Sequence, residues 1–285
     1  MGLPVTCKIT DIYGATWEFG ADTPVQLVYD PSSPNPTGLM GAEYSLDEYS
    51  GPGMPGTVVV ARNDQVNVIG CRFYVYGPQG ADGRNVLAEF VRGHGRGFAR
   101  QAGGPLMRFE VEETGRFQMV RATLTSQPEI AKIHACGRAY QEVEYRSDET
   151  WWRKDPDPKT FTAAQFASAT VPNAGDVESW PHYKIVGPLN GGTIGLMGEA
   201  LSLPNIAAGK TLEIDTDPRR WTVVDQDGVD RSEQINAGNG VRWHTKAPVS
   251  ATDEPVDVPV TITGTGTTSA TSVTVTIPQL YWAAL

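Results

Sequence analysis

The fold is decided by residues 173–189, NAGDVESWPHYKIVGPL. Asn-Ala-Gly-Asp at 173–176 predicts a turn, because Asn and Gly tolerate positive φ and the Asp side chain can form a hydrogen bond with its own backbone. Trp-Pro at 180–181 interrupts regular secondary structure, since proline fixes φ and pushes the preceding residue into an extended conformation. Tyr-Lys-Ile-Val at 183–186 then predicts a short strand, closed by Gly-Pro at 187–188. The stretch therefore predicts the start of a β-domain.

Around this stretch the second half of the chain contains short apolar runs at the spacing typical of a β-sandwich. We predict a short helix over 163–169 and strands over 183–186, 193–196, 201–203, 211–215, 221–225, 234–236, 241–245, 258–263 and 272–277. The last of these is expected to close the sheet. The low-complexity segment GTGTTSATS, from Gly264 to Ser272, is expected to be a mobile hairpin tip.

The first half also predicts mainly strands. The clearest are 57–62, 66–76 and the hairpin of 106–112 with 116–124, and further strands are expected over 130–135 and 138–146. A Pro/Gly-rich stretch from Ser32 to Gly56 predicts an extended arm. Residues 85–91 are expected to form a short helix. Asp-Pro-Asp-Pro at 155–158 is polar and breaks strands, so we predict domains at 1–155 and 156–285.

Composition agrees with an all-β protein. The chain has 285 residues, 40% of them hydrophobic, with 31 glycines and 21 prolines, and long helical patterns are almost absent. The net charge of −10 opposes binding to nucleic acid or to an anionic membrane. Neither a membrane-spanning run nor an export signal is predicted. Cys7, Cys71 and Cys136 form no CxxC pair and are expected to be small buried residues in a reducing compartment.

Candidate chemical sites are weak. Gly93-His94-Gly95-Arg96-Gly97 lacks the context of a phosphate-binding loop, so a flexible connection is the better interpretation. The histidines His94, His134, His182 and His244 have no metal-ligand spacing. Asp225, Asp227 and Asp230 surround Gly228 and are faintly similar to a calcium loop, but Asp-Gly first predicts a hairpin turn.

Catalytic motifs are missing from the sequence, so we predict no catalytic residue, no cofactor and no metal. The chain has many carboxylates, but no feature of the sequence identifies two of them as a pair of the kind that glycosidases use. The tryptophans at 151, 152, 180, 221, 243 and 282 suit either sugar stacking or packing, and packing is the commoner role in a β-protein.

Several pieces of the second half, in order, resemble the distal tail proteins of long-tailed (siphovirus-type) bacteriophages, particularly the minor tail proteins of phages that infect actinobacteria. The residues that carry this resemblance are Asn173-Ala174-Gly175-Asp176, Trp180-Pro181, Ile185–Pro188, Leu212–Pro218, Val224–Gly228, Val273–Ile277 and Tyr281-Trp282. The first half is compatible in layout, although Ser32 to Gly56 departs from the family pattern.

The resemblance implies an all-β protein with an N-terminal β-sandwich or split barrel, an extended arm and a C-terminal galectin-like β-sandwich. It implies a structural virion protein, not an enzyme: a homohexameric ring that joins the tail tube protein to the tail-tip or baseplate protein, with a channel for DNA. The ring would lie at the virion tail tip and assemble in the host bacterial cytoplasm. The alternative function is a carbohydrate-binding module that contacts host cell-wall glycan.

Overall fold

The computed structural model describes residues 5–19, 23–28, 36–52, 55–95, 106–235, 245–250 and 254–285. The chain divides into two compact units, Met1–Trp152 with Trp282–Leu285 and Arg153–Tyr281. The predicted domains at 1–155 and 156–285 stay a prediction.

The first unit is built on one antiparallel sheet. The strands of its part of the chain are β1 (Cys7–Thr10), β2 (Thr16–Phe19), β3 (Val25–Leu27), β4 (Tyr44–Tyr49), β5 (Val58–Asp64), β6 (Val68–Tyr76), β7 (Met107–Val111), β8 (Arg116–Leu124), β9 (Arg138–Ser147) and β10 (Trp152–Arg153). The main path runs β2-β1-β7-β8-β9-β6-β3, and β10 pairs with β8. The strands at its two ends, β2 and β3, contact each other, so the sheet curls into a nearly closed barrel.

Strict alternation along β6 explains the core of this unit. Ile69, Cys71, Phe73 and Val75 are buried, while the residues between them are half-buried. The Phe73 ring lies 4.6 Å from Phe19 on β2, centroid to centroid. It is also 5.6 Å from Phe90 and 6.4 Å from Tyr145. One aromatic side chain therefore touches strands and a helix that are far apart in sequence.

Two helices pack on this sheet, α1 (Ala81–Gly95) and α2 (Ile130–Cys136). The strand predicted over 130–135 was wrong, because its apolar residues fit a helical turn as well as a strand. Gly137 ends α2 in the left-handed region at φ 70°, and its N–H donates to the carbonyl of Ile133 at 2.9 Å. The helix expected over 85–91 is present, but it starts at residue 81 and continues through Gly93, His94 and Gly95.

The second unit contains two antiparallel sheets. Its elements are β11 (Lys159–Thr162), a 3₁₀ helix (Ala163–Ser168), β12 (Thr170–Asn173), β13 (His182–Val186), β14 (Asn190–Leu196), β15 (Leu201–Ser202), β16 (Thr211–Asp215), β17 (Thr222–Asp225), α3 (Ser232–Ile235), β18 (Val256–Thr265), β19 (Ser272–Thr276) and β20 (Leu280–Tyr281). One sheet runs β11-β19-β13-β16-β17 and the other β12-β18-β14-β15. Buried residues of both sheets, including Ile185 and Ile194, form one core, which makes this unit a sandwich and confirms the all-β prediction.

The stretch 173–189 connects the two sheets of that sandwich, because residue 173 ends β12 in one sheet and residues 182–186 form β13 in the other. The Asn173 side chain accepts the N–H of Gly175 at 3.1 Å and donates to the carbonyl of Pro248 at 2.9 Å. The predicted strand over 183–186 is β13, which pairs with β19 on one side and β16 on the other. A Cβ at Gly175 would lie 2.6 Å from the carbonyl oxygen of Leu280, so this close turn requires glycine. The expected turn and strand are both present.

Three expectations for this unit were wrong. Strand β19 lies inside its sheet and does not close an edge. Strands β18 and β19 belong to different sheets, so Gly264 to Ser272 crosses between sheets instead of turning a hairpin. In this crossing Thr271 is fully buried and donates to the carbonyl of Pro188 at 2.8 Å. Residues 234–235, expected in a strand, lie in α3; residues 236 and 241–244 of the predicted strands fall outside the described ranges.

Candidate assembly interface

An exposed hairpin is the most unusual surface feature of the first unit. Strands β4 and β5 pair with each other and with no other strand of the described ranges, and every residue of both is exposed. Six of them are large and apolar: Tyr44, Leu46, Tyr49, Val58, Val59 and Val60. Val60, at 69% exposure, is the most exposed of these. We call these two paired strands, Tyr44–Tyr49 and Val58–Asp64, the arm hairpin.

The pairing of the arm hairpin follows directly from its residues. Aromatic and β-branched side chains favour extended backbone, and the register runs from Tyr44 opposite Asp64 to Tyr49 opposite Val58. The register shifts between Asp47 and Glu48, which marks a bulge. Isolated two-stranded ribbons are marginally stable in water. The hairpin therefore needs support at its base, from a partner, or both.

A latch supports the base. The Arg62 guanidinium carbon lies 4.1 Å from the centroid of the Tyr44 ring and 4.0 Å from that of Trp282. Arg62 Nε also donates to Asp64 at 2.7 Å. A cation held between two rings is stabilised by both ring quadrupoles. Because Trp282 is also 4.5 Å from Trp151 in an edge-to-face contact, the latch ties the arm hairpin to the first unit.

The segment Trp282–Leu285, which carries the latch tryptophan, is itself held by hydrogen bonds within the first unit. Ala284 donates its N–H to the carbonyl of Leu39 at 2.7 Å. Arg116 donates to the carbonyls of Ala283 at 2.8 Å and Leu285 at 2.9 Å. These bonds connect the start of the arm, near residue 39, to the barrel sheet. The latch therefore stands on an ordered base.

A groove lies between the two helices of the same unit. It encloses about 690 Å³ and is lined by Arg84, Asn85, Leu87, Ala88, Val91, Arg92, Leu124, Pro128 and Ile130. Ile130, at the start of α2, is 58% exposed. Among the described residues, the lining contains two arginines and no carboxylate. We call this space the helix groove.

His94 does not lie in a flexible connection, which corrects the expectation for the GHGRG segment; residues 96–97 fall outside the described ranges. It is fully buried, stacks on Phe90 at 4.0 Å, and its Nδ1–H donates to the carbonyl of Phe90 at 2.8 Å. Burial lowers the pKa of His94 to about 4, so the ring is neutral at pH 7. Gly93 is required because an added Cβ would meet the side chain of Asp11, not because the chain must be flexible.

The other candidate ligands lie on different elements of the chain. His134 lies on α2 and His182 on β13, while His244 is outside the described residues. Within the ranges that the structure describes, no three His, Cys, Asp or Glu side chains are grouped to hold a metal ion. Cys7 and Cys71 are buried as expected, and burial raises the pKa of the Cys7 thiol to about 12. Cys136 is exposed, which contradicts the expectation for that residue.

The aspartate loop of the second unit is a turn, as Asp-Gly predicts. Gly228 takes φ 74°, and the carboxylate of Asp225 accepts the N–H groups of Asp227 and Val229 at 3.0 Å each. Arg231 donates to the same carboxylate at 2.7 and 2.9 Å. These donors, the Arg231 bond first, keep the pKa of Asp225 below its usual range. Its oxygens are already engaged by protein donors.

The tryptophans mostly pack. Trp152 is fully buried against Phe109, 6.1 Å away. In the second unit Trp180 is half-buried beneath Lys246, whose Nζ is 4.5 Å from the ring centroid, and Trp221 is also half-buried. Trp243 is outside the described residues. Packing, the commoner role for tryptophan, fits Trp152 best.

A polar groove of about 360 Å³ lies on the second unit and includes Asn205, Lys210, Gln226 and Asp227 in its lining. No aromatic side chain of the described residues lines it. Among the described helices, none has the length and apolar character needed to cross a membrane.

These observations define a class: an all-β protein of two units that presents an apolar hairpin and a helix groove. No protein-family profile matches the sequence, and no curated protein does either. Among solved structures, the chain is similar to the Dit protein of phage SPP1, described as a paradigm of the hub of the adsorption apparatus in phages that infect Gram-positive bacteria. That similarity has a TM-score of 0.59 and 11% identity, and covers 95% of this chain and 98% of the other.

A chain of the phage P2 baseplate, in its activated conformation with calcium, is similar with a TM-score of 0.51 and 11% identity, and the match covers 97% of this chain and 98% of the other. The fold is that of the phage hub protein Dit, which agrees with the resemblance in the sequence. The arm hairpin was only partly anticipated: β4 lies within the Pro/Gly-rich stretch, and its pairing with β5 was not predicted. The alternation of Tyr44, Leu46 and then Tyr49, followed by GPGMPG and a valine run, is the hairpin signal that was available.

Proposed function

We propose that this chain is a structural protein of a phage tail, one subunit of a ring at the distal end of the tail. The observation that carries the proposal is fold similarity along nearly the whole length of both chains, 95% of this one and 98% of the phage SPP1 hub protein. A match that spans both β-units together is more specific than a match to one, because either unit alone is a common architecture.

The arm hairpin supports self-association. An exposed ribbon with free edges and apolar side chains invites pairing with another chain, and a protein that keeps such a ribbon gains from covering it. A ring subunit uses the ribbon by presenting it to the next copy. We propose six copies, as the family resemblance implies.

The ring would join the tail tube protein on one side to the tail-tip or baseplate protein on the other, at the tail tip of the virion. Assembly would take place in the cytoplasm of the host bacterium. Six copies of net charge −10 carry about −60. Where part of this charge lines the central channel, it would repel DNA and favour passage over adhesion.

We propose a structural and not an enzymatic role. The buried titratable groups described above are engaged in packing or in fixed hydrogen bonds, as His94 is with Phe90. Carboxylates such as Asp225 hold turns in place. These residues stabilise the two units, and a virion ring needs nothing more from them.

Electron microscopy of virions tests the proposal. Antibodies against the purified chain, applied to intact particles of the phage that encodes it, should place gold at the tail tip. Antibody absorbed beforehand with the purified chain is the control and should leave the tips unlabelled. Label on the capsid alone, or none on opened and intact particles, would overturn the proposed location. Native mass spectrometry of the full chain tests the ring, with six-fold the monomer mass expected.

Carbohydrate binding by the second unit is the alternative. The polar groove offers amide, carboxylate and ammonium groups that suit hydroxyl recognition. The described residues of its lining include no aromatic platform of the kind on which sugars usually stack. An array of cell-wall glycans probed with the full chain decides the matter. We expect no binding above the signal of a Gln226→Ala, Asp227→Ala variant, and strong binding lost in that variant would favour the alternative.

A further inference from the structure

The helix groove is an apolar surface with a basic rim. Leu87, Val91 and Ile130 contribute its apolar wall. Arg84 and Arg92 add two positive charges, and neither forms an ion pair within the described part of the chain. An occupant of matching chemistry is therefore extended, apolar and acidic.

The arm hairpin has that chemistry. Its distal part presents Tyr49 and the run Val58–Val60, all more than half exposed. The charged residues of β4 and β5 are Asp47, Glu48 and Asp64 against Arg62, which gives −3 + 1 = −2. The two arginines of the groove lining give +2. Apolar area and net charge are thus complementary between two separate surfaces of the same chain.

We propose that the arm hairpin of one copy docks in the helix groove of the neighbouring copy. The proposal rests on the ring described above and names the two surfaces through which its subunits meet. A space of about 690 Å³ has room for several side chains from the end of a ribbon. Docking would cover Val59, Val60 and Ile130 together and place the acidic residues near Arg84 and Arg92.

The topology of the first unit favours contact between copies. The arm joins the unit at the N-terminal end of β6, where Gln65 donates to the carbonyl of Glu43 at 2.9 Å. The helices meet the opposite end of β6, where Gly77 and Gly80 donate to the carbonyls of Gly137 and His134 at 2.9 and 3.0 Å. The nine residues of β6 between these two attachment points span roughly 26 Å. The arm and the helices therefore meet β6 at opposite ends, and this separation favours contact between copies.

Two different surfaces that recognise each other make a head-to-tail contact. Such contacts produce closed rings when the rotation between copies is a simple fraction of a turn. A self-complementary patch would instead stop at a dimer. The latch at Arg62 contributes by holding the arm at its own end of β6 in a fixed direction, which lowers the ordering cost of docking.

Cross-linking between two chains that each carry one exposed cysteine tests the contact. The background is Cys136→Ser, which removes the exposed thiol and leaves the buried Cys7 and Cys71. One full-length chain carries Val59→Cys on the arm, and the other carries Ala88→Cys in the groove. A short bis-maleimide added to their mixture should give a covalent dimer with one chain of each type, at least tenfold above either chain alone.

The matched control replaces Ala88→Cys by Ala167→Cys, an exposed alanine on the 3₁₀ helix of the second unit. Its mixture with the arm variant should give little dimer. Equal yields with Ala88→Cys and Ala167→Cys, or no dimer at the highest soluble concentration, would overturn the proposal. Because each cysteine is on a different chain, a contact within one chain contributes nothing.

Charge reversal gives an independent measurement. Replacing Asp47 and Glu48 with Lys, or Arg84 and Arg92 with Glu, should raise the dissociation constant of self-association about tenfold at low salt. Combining both sets in one chain should return it to within threefold of the original, because the attraction is restored with opposite sign. Additive weakening in the combined variant would contradict docking. Circular dichroism confirms that each variant is folded.

The results separate this inference from the proposed function. If gold labels the tail tip but the arm-to-groove cross-link does not form, the proposed tail role stands and the docking proposal fails. The arm would then be expected to contact the tube or tip protein instead. A cross-link with no label on virions would support the contact and remove the tail role.

Discussion

Strand β6 and the arm hairpin are neighbours in sequence and differ in the burial of their side chains. Both are rich in residues with high β-propensity, and Val58–Val60 is as apolar as any part of Val68–Tyr76. Along β6 alternate residues are buried, and Phe73 among them packs against Phe19, Phe90 and Tyr145. Along β4 and β5 no residue is buried. The difference shows that β-propensity determines the backbone conformation, while the presence of a partner determines whether the apolar face contributes to stability.

The largest expected effect comes from truncating the core side of this comparison. Phe73→Ala should lower the free energy of unfolding by about 3–5 kcal/mol, because it removes a fully buried ring and leaves a cavity. Urea denaturation of the full chain, followed by near-UV circular dichroism, measures it.

The control is Val59→Ser on the arm hairpin. It should change the free energy of unfolding of the isolated chain by less than about 0.5 kcal/mol, since Val59 is 53% exposed. A similar loss in both variants would mean that the arm is buried in the isolated chain, and the contrast drawn above would be wrong.

The second effect concerns pH. His94 is neutral and buried in the folded chain, with a pKa of about 4, and takes a proton near pH 6.5 when unfolded. The unfolded state therefore binds more protons as pH falls from 6.5 to 4, and stability falls over that window, by up to about 3 kcal/mol. Above pH 6.5 the contribution is constant.

Urea denaturation at pH 7 and pH 4.5 measures this effect, with His94→Gln as the matched variant. The variant cannot titrate, so its loss of stability over the window should be smaller than that of the original chain. The carboxylates titrate in both chains, and comparing the two losses removes their contribution. Equal losses would mean that His94 is solvated, contrary to its place beneath Phe90.

A smaller effect sharpens the description of the latch. Trp282→Ala removes one of the two rings around Arg62 and should cost about 1 kcal/mol of local stability, which corresponds to about fivefold faster hydrogen exchange of the β4 and β5 amides. The matched control is Trp180→Ala, which removes a ring beneath Lys246 in the second unit. Exchange in the arm should not change in the control. If both variants behave alike, the latch does not hold the arm.

The smallest effect is expected in the aspartate loop. Adding calcium should leave the thermal midpoint of the chain unchanged within about 1 °C, because Arg231 and backbone N–H groups already occupy the Asp225 carboxylate. Differential scanning fluorimetry with calcium and with chelator measures this. A rise of several degrees that Asp227→Asn abolishes would establish a calcium site.

Much of the second unit was accessible from the sequence. The strand at 183–186 and its neighbour at 211–215 were predicted because each is a short β-branched run between turn residues. The sequence did not indicate which sheet each strand joins or at which position in that sheet it lies. Strand β19 alternates as an edge strand would, yet it lies between β11 and β13, because both of its edges pair with segments more than 80 residues away.

The errors in the first unit have a common cause. At residues 130–135 apolar spacing suited two conformations, and only packing against α1 and β9 selected the helix. At Gly93 a glycine that suggested flexibility instead permits close approach to Asp11. The local pattern of apolar and turn residues indicates which backbone conformations a segment can adopt. It does not indicate which other segments pack against it.

The sequence by itself determined that this protein is built of strands, that its second half is a sandwich around Tyr183–Val186, and that its order of motifs resembles phage tail proteins. Alternation with a period of two and turn residues at strand ends are local properties, so the sequence carries them directly. The tertiary structure alone decided that His94 is buried, that β4 and β5 form a ribbon exposed on both faces, and that Trp282 latches it through Arg62. Those facts depend on contacts between residues that are distant in sequence. The burial of a side chain and the identity of its contacts are set by the whole folded chain and cannot be derived from one segment.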